Sequence, residues 1–248
     1  MIIKRCIYII LYSLIIYNIF FMQTSAEDYL SKEEIEKIIH EYIMKNPEII
    51  LKSVDNLRKE MEKSSVENDN YLKKEFQNFA NQDYIPSFGN KDAKVIIIEF
   101  VDYNCGYCKK SLDAIIALLE SNLDLKISFR DYPILSPTSR LAAKAVLAAH
   151  YQNKYFELHA KLLSMRGGLT EEIILKIAKN IEIDVNKLKV DMQNPKIDLI
   201  IQENESLARK LNIRGTPTFI INGKLYAGAL ELDKFKTIIN KALSKKVN

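Results

Sequence analysis

The chain has 248 residues, of which 48% are apolar, and a formal net charge of +4. That length and apolar content support one domain with a sizeable core plus an accessory segment, and exclude a disordered chain. The small positive balance, with no basic stripe interleaved with aromatics, excludes a nucleic-acid surface.

Residues 1–26 read as a secretory signal. Lys4 and Arg5 give a charged start, residues 7–22 an apolar stretch, and Thr24, Ser25 and Ala26 small residues before the polar Glu27 and Asp28. The stretch is short for a membrane-spanning helix and is diluted by Tyr8, Tyr12, Tyr17 and Asn18. An uncleaved N-terminal anchor is the alternative. Cys6 precedes the apolar stretch, so it does not read as a lipid-attachment site. Its removal leaves two cysteines, in a compartment where disulfides persist: the periplasm or cell surface of a bacterium.

Residues 27–83 are expected to form a helical segment separate from a domain at 84–248. Ser31 and Glu34 make a capping box, and Ile35, Ile38, Ile39, Tyr42 and Ile43 trace one helical face. Asn46 and Pro47 end that helix and start a second. There, Ile50, Val54, Leu57 and Met61 form a short heptad-like seam. The polar run 64–70 predicts a joint or linker, and Leu72, Phe76 and Phe79 a further apolar edge. Two readings stay open for residues 28–83: packing onto the main domain, or self-association into a homo-oligomer.

Val95, Ile96, Ile97 and Ile98, with Phe100 and Val101, predict a strand buried on both faces. Cys105 and Cys108 follow at Cys-X-X-Cys spacing, where Leu112, Ile115, Ile116 and Leu119 begin a helical period. Cys105 then lies at a helix N-terminus, whose unpaired amides and positive dipole favour a thiolate. Cys108, one turn further in, is placed to attack a mixed disulfide at Cys105, so the two make a redox-active disulfide. Zinc is the competing reading and lacks ligands: a structural site needs four, and His40, His150 and His159 are scattered. No metal and no cofactor are expected. Glu99, six residues before Cys105, either relays protons beneath the pair or faces solvent at a strand end. Tyr107 is placed to cover the sulfurs or to touch substrate, while Lys109 and Lys110 read as a solvated helix face.

Residues 125–130 predict a second strand of alternating pattern. Helices follow at about 139–151, 155–165, 170–179, 185–192 and 196–211. His150 and His159 read as helix surface or core. The sequon at Asn204 falls in a helix and reads as chance. Arg214, Gly215, Thr216, Pro217 and Thr218 then precede an apolar strand, where proline signals an edge, a bulge or a cis bond. Asn222 and Gly223 mark a hairpin turn, and a last helix spans 232–244 with Phe235, Ile238, Ile239 and Leu243 inward.

The Cys-Gly-Tyr-Cys motif at 105–108, the Thr216–Pro217 loop and the run from Asp131 to Ala143 resemble the DsbA-like thiol–disulfide oxidoreductases of the thioredoxin superfamily. The preceding helical segment is similar to that of the oligomeric ScsC-type branch. The resemblance implies an α/β thioredoxin fold with a helical insertion at about 131–212, preceded by an all-helical segment. It implies Cys105 as nucleophile and Cys108 as resolving thiol, with Thr216, Pro217, Gly106 and Tyr107 at the substrate. The substrates would be unfolded or misfolded exported proteins, and a membrane redox partner would complete the cycle. That partner is a quinone-linked oxidase if the protein is a dithiol oxidase, or a thiol donor if it is an isomerase or reductase. A surface binding protein with secondary redox activity is the third reading. Gly106-Tyr107 stands where strongly oxidising members carry Pro-His. A weaker stabilisation of the Cys105 thiolate is therefore expected, in the upper half of the ~3.5 to ~7 range of such enzymes.

Overall fold

The computed structural model describes residues 30–121 and 124–244; the signal sequence expected at 1–26 lies outside them. Helix α1 spans Lys32–Lys45. Ser31 Oγ accepts from Glu34 N at 3.2 Å and the Glu34 carboxylate accepts from Ser31 N at 2.9 Å, a reciprocal capping box. Helix α2 spans Glu48–Ala80 without a break. The joint expected at 64–70 is therefore helical. That run is polar but contains neither proline nor glycine, so nothing interrupts the ladder of main-chain bonds.

The chain divides into two compact units, Met1–Glu60 and Met61–Asn248. In the first, Ile35, Ile38, Ile39 and Tyr42 of α1 and Ile50, Val54 and Leu57 of α2 are exposed. The second unit begins inside α2, whereas the sequence places the border at 83/84. The reason is burial: Leu72, Phe76, Phe79 and Ala80 pack with Ile96, Ile98, Phe100 and Ile220 of the sheet.

Among the described residues this unit holds one five-stranded sheet. Its strands are β1 (Ser87–Gly89), β2 (Val95–Val101), β3 (Leu125–Asp131), β4 (Thr218–Ile221) and β5 (Lys224–Ala227), in the order β1-β3-β2-β4-β5. Strands β2 and β3 are parallel, with Val95 opposite Leu125 and Val101 opposite Asp131, and the other pairs are antiparallel. Strand β1 has too few residues and no apolar run, and it went unread in the sequence. Its Gly89 has φ +98°, and a Cβ there would collide with the Leu125 carbonyl oxygen, so glycine alone fits this close approach.

The alternation of β3 suggested one solvated face, yet all seven residues are buried. Lys126 reaches Asn81, and Arg130 donates to Asn204 Oδ1, the Phe79 carbonyl and Gln82. The polar side chains thus serve as anchors for the end of α2 rather than facing water. The opposite face carries Val95, Ile97, Leu125, Ile127 and Phe129. These pack with Leu112, Ile115 and Leu118 of α3 (Gly106–Leu119) and with Phe235 and Ile239 of α9 (Leu232–Ser244).

Five helices lie between β3 and β4: α4 (Pro137–His150), α5 (Tyr155–Ser164), α6 (Glu171–Asn180), α7 (Val185–Asp191) and α8 (Pro195–Lys210). Ser136, Thr170, Asp184 and Asn194 start four of them by accepting main-chain N–H bonds. Alanines 142, 143, 145, 148 and 149 of α4 are all buried, and their small size lets neighbouring helices approach closely. In the β4–β5 turn, Asn222 and Gly223 have φ 45° and 80°, the two positive values a type I′ hairpin requires.

Candidate active site

Strand β2 delivers the chain to a short loop held by the side chains of Asp102 and Asn104. The Asp102 carboxylate accepts from the N–H of Asn104 at 2.8 Å, Ile134 at 2.9 Å and Leu135 at 3.0 Å. Asn104 Nδ2, with two protons to donate, lies 2.9–3.1 Å from the hydroxyls of Ser136, Thr138 and Ser139. These bonds tie the start of α3 to the start of α4, so the position of the first thiol is set by both.

Cys105 is the N-cap of α3 and uses no side-chain capping bond, which leaves its sulfur available. It is 7% exposed, Cys108 is fully buried, and the two are unbonded thiols. The Thr216–Pro217 bond is cis, as the proline pattern led one to expect, and Cys105 Sγ donates to the Thr216 carbonyl at 3.0 Å. The structure therefore brings together Cys105, Cys108 and the Thr216–Pro217 loop from positions more than a hundred residues apart.

The two thiols are driven in opposite directions. Cys105 is pulled down to about 5, first by the hydrogen bond from the Cys108 thiol. The Thr216 hydroxyl and the N–H groups of Cys108 and Tyr107 add to this against the cost of burial. Thr216 Oγ1 is buried and has no hydrogen-bond partner, so its proton is free to turn toward a Cys105 thiolate. The value lies midway in the ~3.5 to ~7 range rather than in its upper half, because these donors replace the missing histidine. Cys108 is pushed up by burial, by its bond to Cys105 and by the charge of Glu99.

Glu99 is 1% exposed, so the solvent-facing alternative is excluded. Burial pushes it up to about 8, helped by the negative charges of Cys105 and Asp131. Tyr107 is 62% exposed, with Lys110 Nζ 5.1 Å from its ring centre, and so stands out in solvent instead of covering the sulfurs. Gly106 is exposed beside it. Lys109 departs from the solvated face expected of it: its Nζ donates to the Met165 carbonyl at 2.8 Å, linking α3 to the end of α5. His150 is partly buried and His159 fully, and among the described residues no group of three or more His, Cys, Asp and Glu is placed to hold a metal ion.

A cleft of about 690 Å³ flanks the cis-proline loop, lined by residues 211–218, part of β5 and residues 61, 64, 68 and 69 of α2. A larger groove of about 790 Å³ lies elsewhere, between Tyr84, Tyr151, Leu199 and Glu203, and touches neither thiol nor the loop. Tyr103, Asp131, Tyr155 and His159 form a buried cluster that the sequence did not bring together, although His159 read as helix surface or core and Asp131 as the start of the insertion. The available signal was the strand register, which puts Asp131 and Glu99 on one face once β2 and β3 are known to be parallel.

The family model described as Thioredoxin matches residues 81–241, and the one described as Copper resistance protein ScsC N-terminal domain matches residues 32–63. Among solved structures, the thiol-disulfide exchange protein alpha-DsbA2 from Wolbachia pipientis is 34% identical with a TM-score of 0.65, covering 70% of this chain and 96% of its own. Proteus mirabilis ScsC in a compact conformation is 25% identical with a TM-score of 0.65, covering 88% and 100%. A probable disulfide bond formation protein D from Bacillus anthracis is 28% identical, covering 64% of this chain and 78% of that protein. The Na(+)/H(+) antiporter NhaA 1 of Salinispora arenicola also matches at 26% identity, but there the chain spans only 24% of the relative's length.

Proposed function

The chain belongs to the thioredoxin family, among its DsbA-like thiol–disulfide oxidoreductases, and on that premise we propose that it exchanges disulfides with exported proteins through Cys105 and Cys108. The observation that carries this reading is the low-pKa sulfur of Cys105 held 3.0 Å from the cis-proline loop, above a buried second thiol.

In the reducing direction, the Cys105 thiolate attacks a substrate disulfide, forming a mixed disulfide and releasing one substrate sulfur as thiolate. Cys108 then gives its proton to Glu99 and attacks Cys105 Sγ. The Cys105–Cys108 bond forms, the second substrate sulfur leaves, and two electrons have passed from the pair to the substrate. Run backwards, the same steps oxidise a substrate dithiol. The cleft beside Thr216 and Pro217 offers room for an extended peptide, with exposed Gly106 and Tyr107 at its reacting end.

The working compartment in this reading is the periplasm or cell surface, reached through the signal at 1–26. No helix among the described residues is long and apolar enough to cross a membrane. A membrane redox partner restores the pair after each turnover: a quinone-linked oxidase for a dithiol oxidase, a thiol donor for an isomerase. The deciding experiment is the redox state of the Cys105–Cys108 pair in protein taken directly from the cell envelope. A disulfide supports the oxidase, a dithiol the isomerase, and thiols that exchange with no protein disulfide remove the proposal.

The depressed thiol makes a pH prediction. Thiolate absorbance of the reduced protein should rise with a midpoint near 5. A pKa lower in the folded form stabilises that form above the ordinary thiol value, and the contribution is lost as pH falls through the folded value. The reduced protein should therefore lose stability relative to the oxidised one between pH 8 and pH 4. A midpoint near ~8.5, that of a free cysteine, removes Cys105 from the nucleophile's role.

One observation favours the isomerase reading. The apolar residues of α1 and of α2 up to Met61 are exposed, and a stripe of that kind needs a cover. We assign it to self-association, so that several thiol pairs share one substrate. A chain from Ser31 should scatter light as an oligomer at micromolar concentration, and a chain from Met61 as a monomer. The shorter chain keeps dithiol oxidation but loses most refolding of scrambled substrates. A monomeric longer chain overturns this assignment and leaves the oxidase.

A further inference from the structure

Beneath the thiols lies a buried polar cluster that the exchange steps above do not employ. Asp131, at the end of β3, is fully buried. Tyr103 donates to its Oδ1 at 2.7 Å and Tyr155 to its Oδ2 at 3.1 Å. His159 Nδ1 lies 3.0 Å from the Tyr103 oxygen. The single Tyr103 proton goes to the carboxylate, so His159 donates through Nδ1–H and keeps a bare Nε2. That Nε2 has no partner, and the ring sits against Phe129 at 4.6 Å and Phe156 at 5.9 Å. Burial pushes His159 down to about 3, so it brings no positive charge to the cluster.

Among the described residues no cation is paired with the Asp131 carboxylate from any element packed against it. Its neighbour Arg130 points to the other face of the sheet, toward Asn204, Phe79 and Gln82. Asn204 of α8 donates only to the Asp131 carbonyl, at 3.1 Å. The remaining charges are negative: Asp102 in the loop after β2, Cys105 on α3, and Glu99 on β2. In the parallel register Val101 lies opposite Asp131 and Glu99 opposite Phe129, so alternation puts both carboxyls on the face that carries the thiols.

Two buried carboxyls on one face, with no cation between them, do not both ionise freely. We propose that Glu99 and Asp131 form one coupled carboxyl pair, in which Asp131 is the positioning residue that sets the pH at which Glu99 accepts the proton of Cys108. The inference rests on the exchange reading above. In the mixed disulfide, Glu99 carboxylate takes the Cys108 proton. The freed electron pair makes the Cys105–Cys108 bond, and the substrate sulfur leaves with the electrons of the broken bond. The charge of an ionised Asp131 holds the Glu99 proton in place to higher pH and delays the step; without that charge Glu99 would become the base at lower pH. Burial brings Asp131 to about 7 and Glu99 to about 8, so Asp131 ionises first and its charge is present while Glu99 titrates. Tyr103 and Tyr155 are what keep Asp131 from rising further.

The test has two arms on the full chain. Carboxyl-carbon NMR of the reduced protein follows Glu99 in Asp131→Asn and Asp131 in Glu99→Gln. The midpoint of Glu99, which titrates beside an ionised Asp131, should fall in Asp131→Asn by the full coupling, on the order of one pH unit for a tenfold effect. That of Asp131, which ionises first beside a neutral Glu99, should move less in Glu99→Gln. In the second arm, the rate of the resolving step is followed against pH. Asp131→Asn should move its midpoint down and Asp131→Glu should restore it. A Glu99 midpoint that ignores Asp131→Asn, or a rate scaled equally at every pH, overturns the pair, since a structural role does only the latter. Should Asp131→Asn fail to fold, Tyr155→Phe removes one donor, keeps Asp131 neutral to higher pH, and should move the Glu99 midpoint the same way. Absence of exchange in the unaltered chain overturns the exchange reading instead, and the carboxyl titrations then decide the pair on their own.

Discussion

A chain starting at Tyr84 is expected to lose its cooperative unfolding transition, whereas one starting at Met61 keeps it. The earlier start retains Leu72, Phe76 and Phe79, all buried against the sheet. Each such side chain contributes roughly 1.5–3 kcal/mol, so together they account for about 4.5–9 kcal/mol. Domains of this kind are stable by only ~5–15 kcal/mol. The cut also removes the Phe79 carbonyl and Gln82 from the Arg130 guanidinium and opens that side of the sheet to water. Phe76→Ala alone should cost about 3–5 kcal/mol. Urea denaturation followed by circular dichroism reads all three chains. Equal midpoints for the chains from Tyr84 and Met61 would show that the end of α2 is dispensable, and the domain would then begin where the sequence placed it.

The two cysteine variants should differ in kind, not in degree. With Cys108→Ala, Cys105 still attacks a substrate disulfide, but no thiol remains to resolve the adduct, so a mixed disulfide accumulates on non-reducing gels. With Cys105→Ala, the adduct is absent and exchange falls to the uncatalysed rate. The physical reason lies in burial. A free thiol of pKa ~8.5 is ~3% ionised at pH 7, and Cys108 is less ionised still, because burial pushes its pKa up. Cys108 has no exposure, so a folded substrate cannot reach it. An adduct formed through Cys108 in the Cys105 variant would reverse the assignment of nucleophile and resolving thiol.

Much of this site was legible without coordinates because its signals are local. The Cys-X-X-Cys spacing, the apolar run before it, the Asn222–Gly223 turn and the Ser31–Glu34 capping box each lie within a few residues, where backbone geometry alone decides the outcome. The proline at 217 announced an unusual backbone for the same reason. Other features depend on what covers a surface. Arg130 and Lys126 alternate with apolar residues as if facing water, and only the end of α2, laid over that face, makes them buried anchors. Lys109 looked solvated until the Met165 carbonyl met it. Asp131 marked only the entry to the insertion, and its company with Glu99, Tyr103, Tyr155 and His159 follows from the parallel register of two strands and the seating of α5 upon them. The sequence by itself determined which residues hold the sulfur chemistry, since helix ends, turns and strands are set by short-range sterics and hydrogen bonding. Tertiary structure alone decided which charges surround that chemistry, because burial and pairing belong to contacts between segments far apart in the chain.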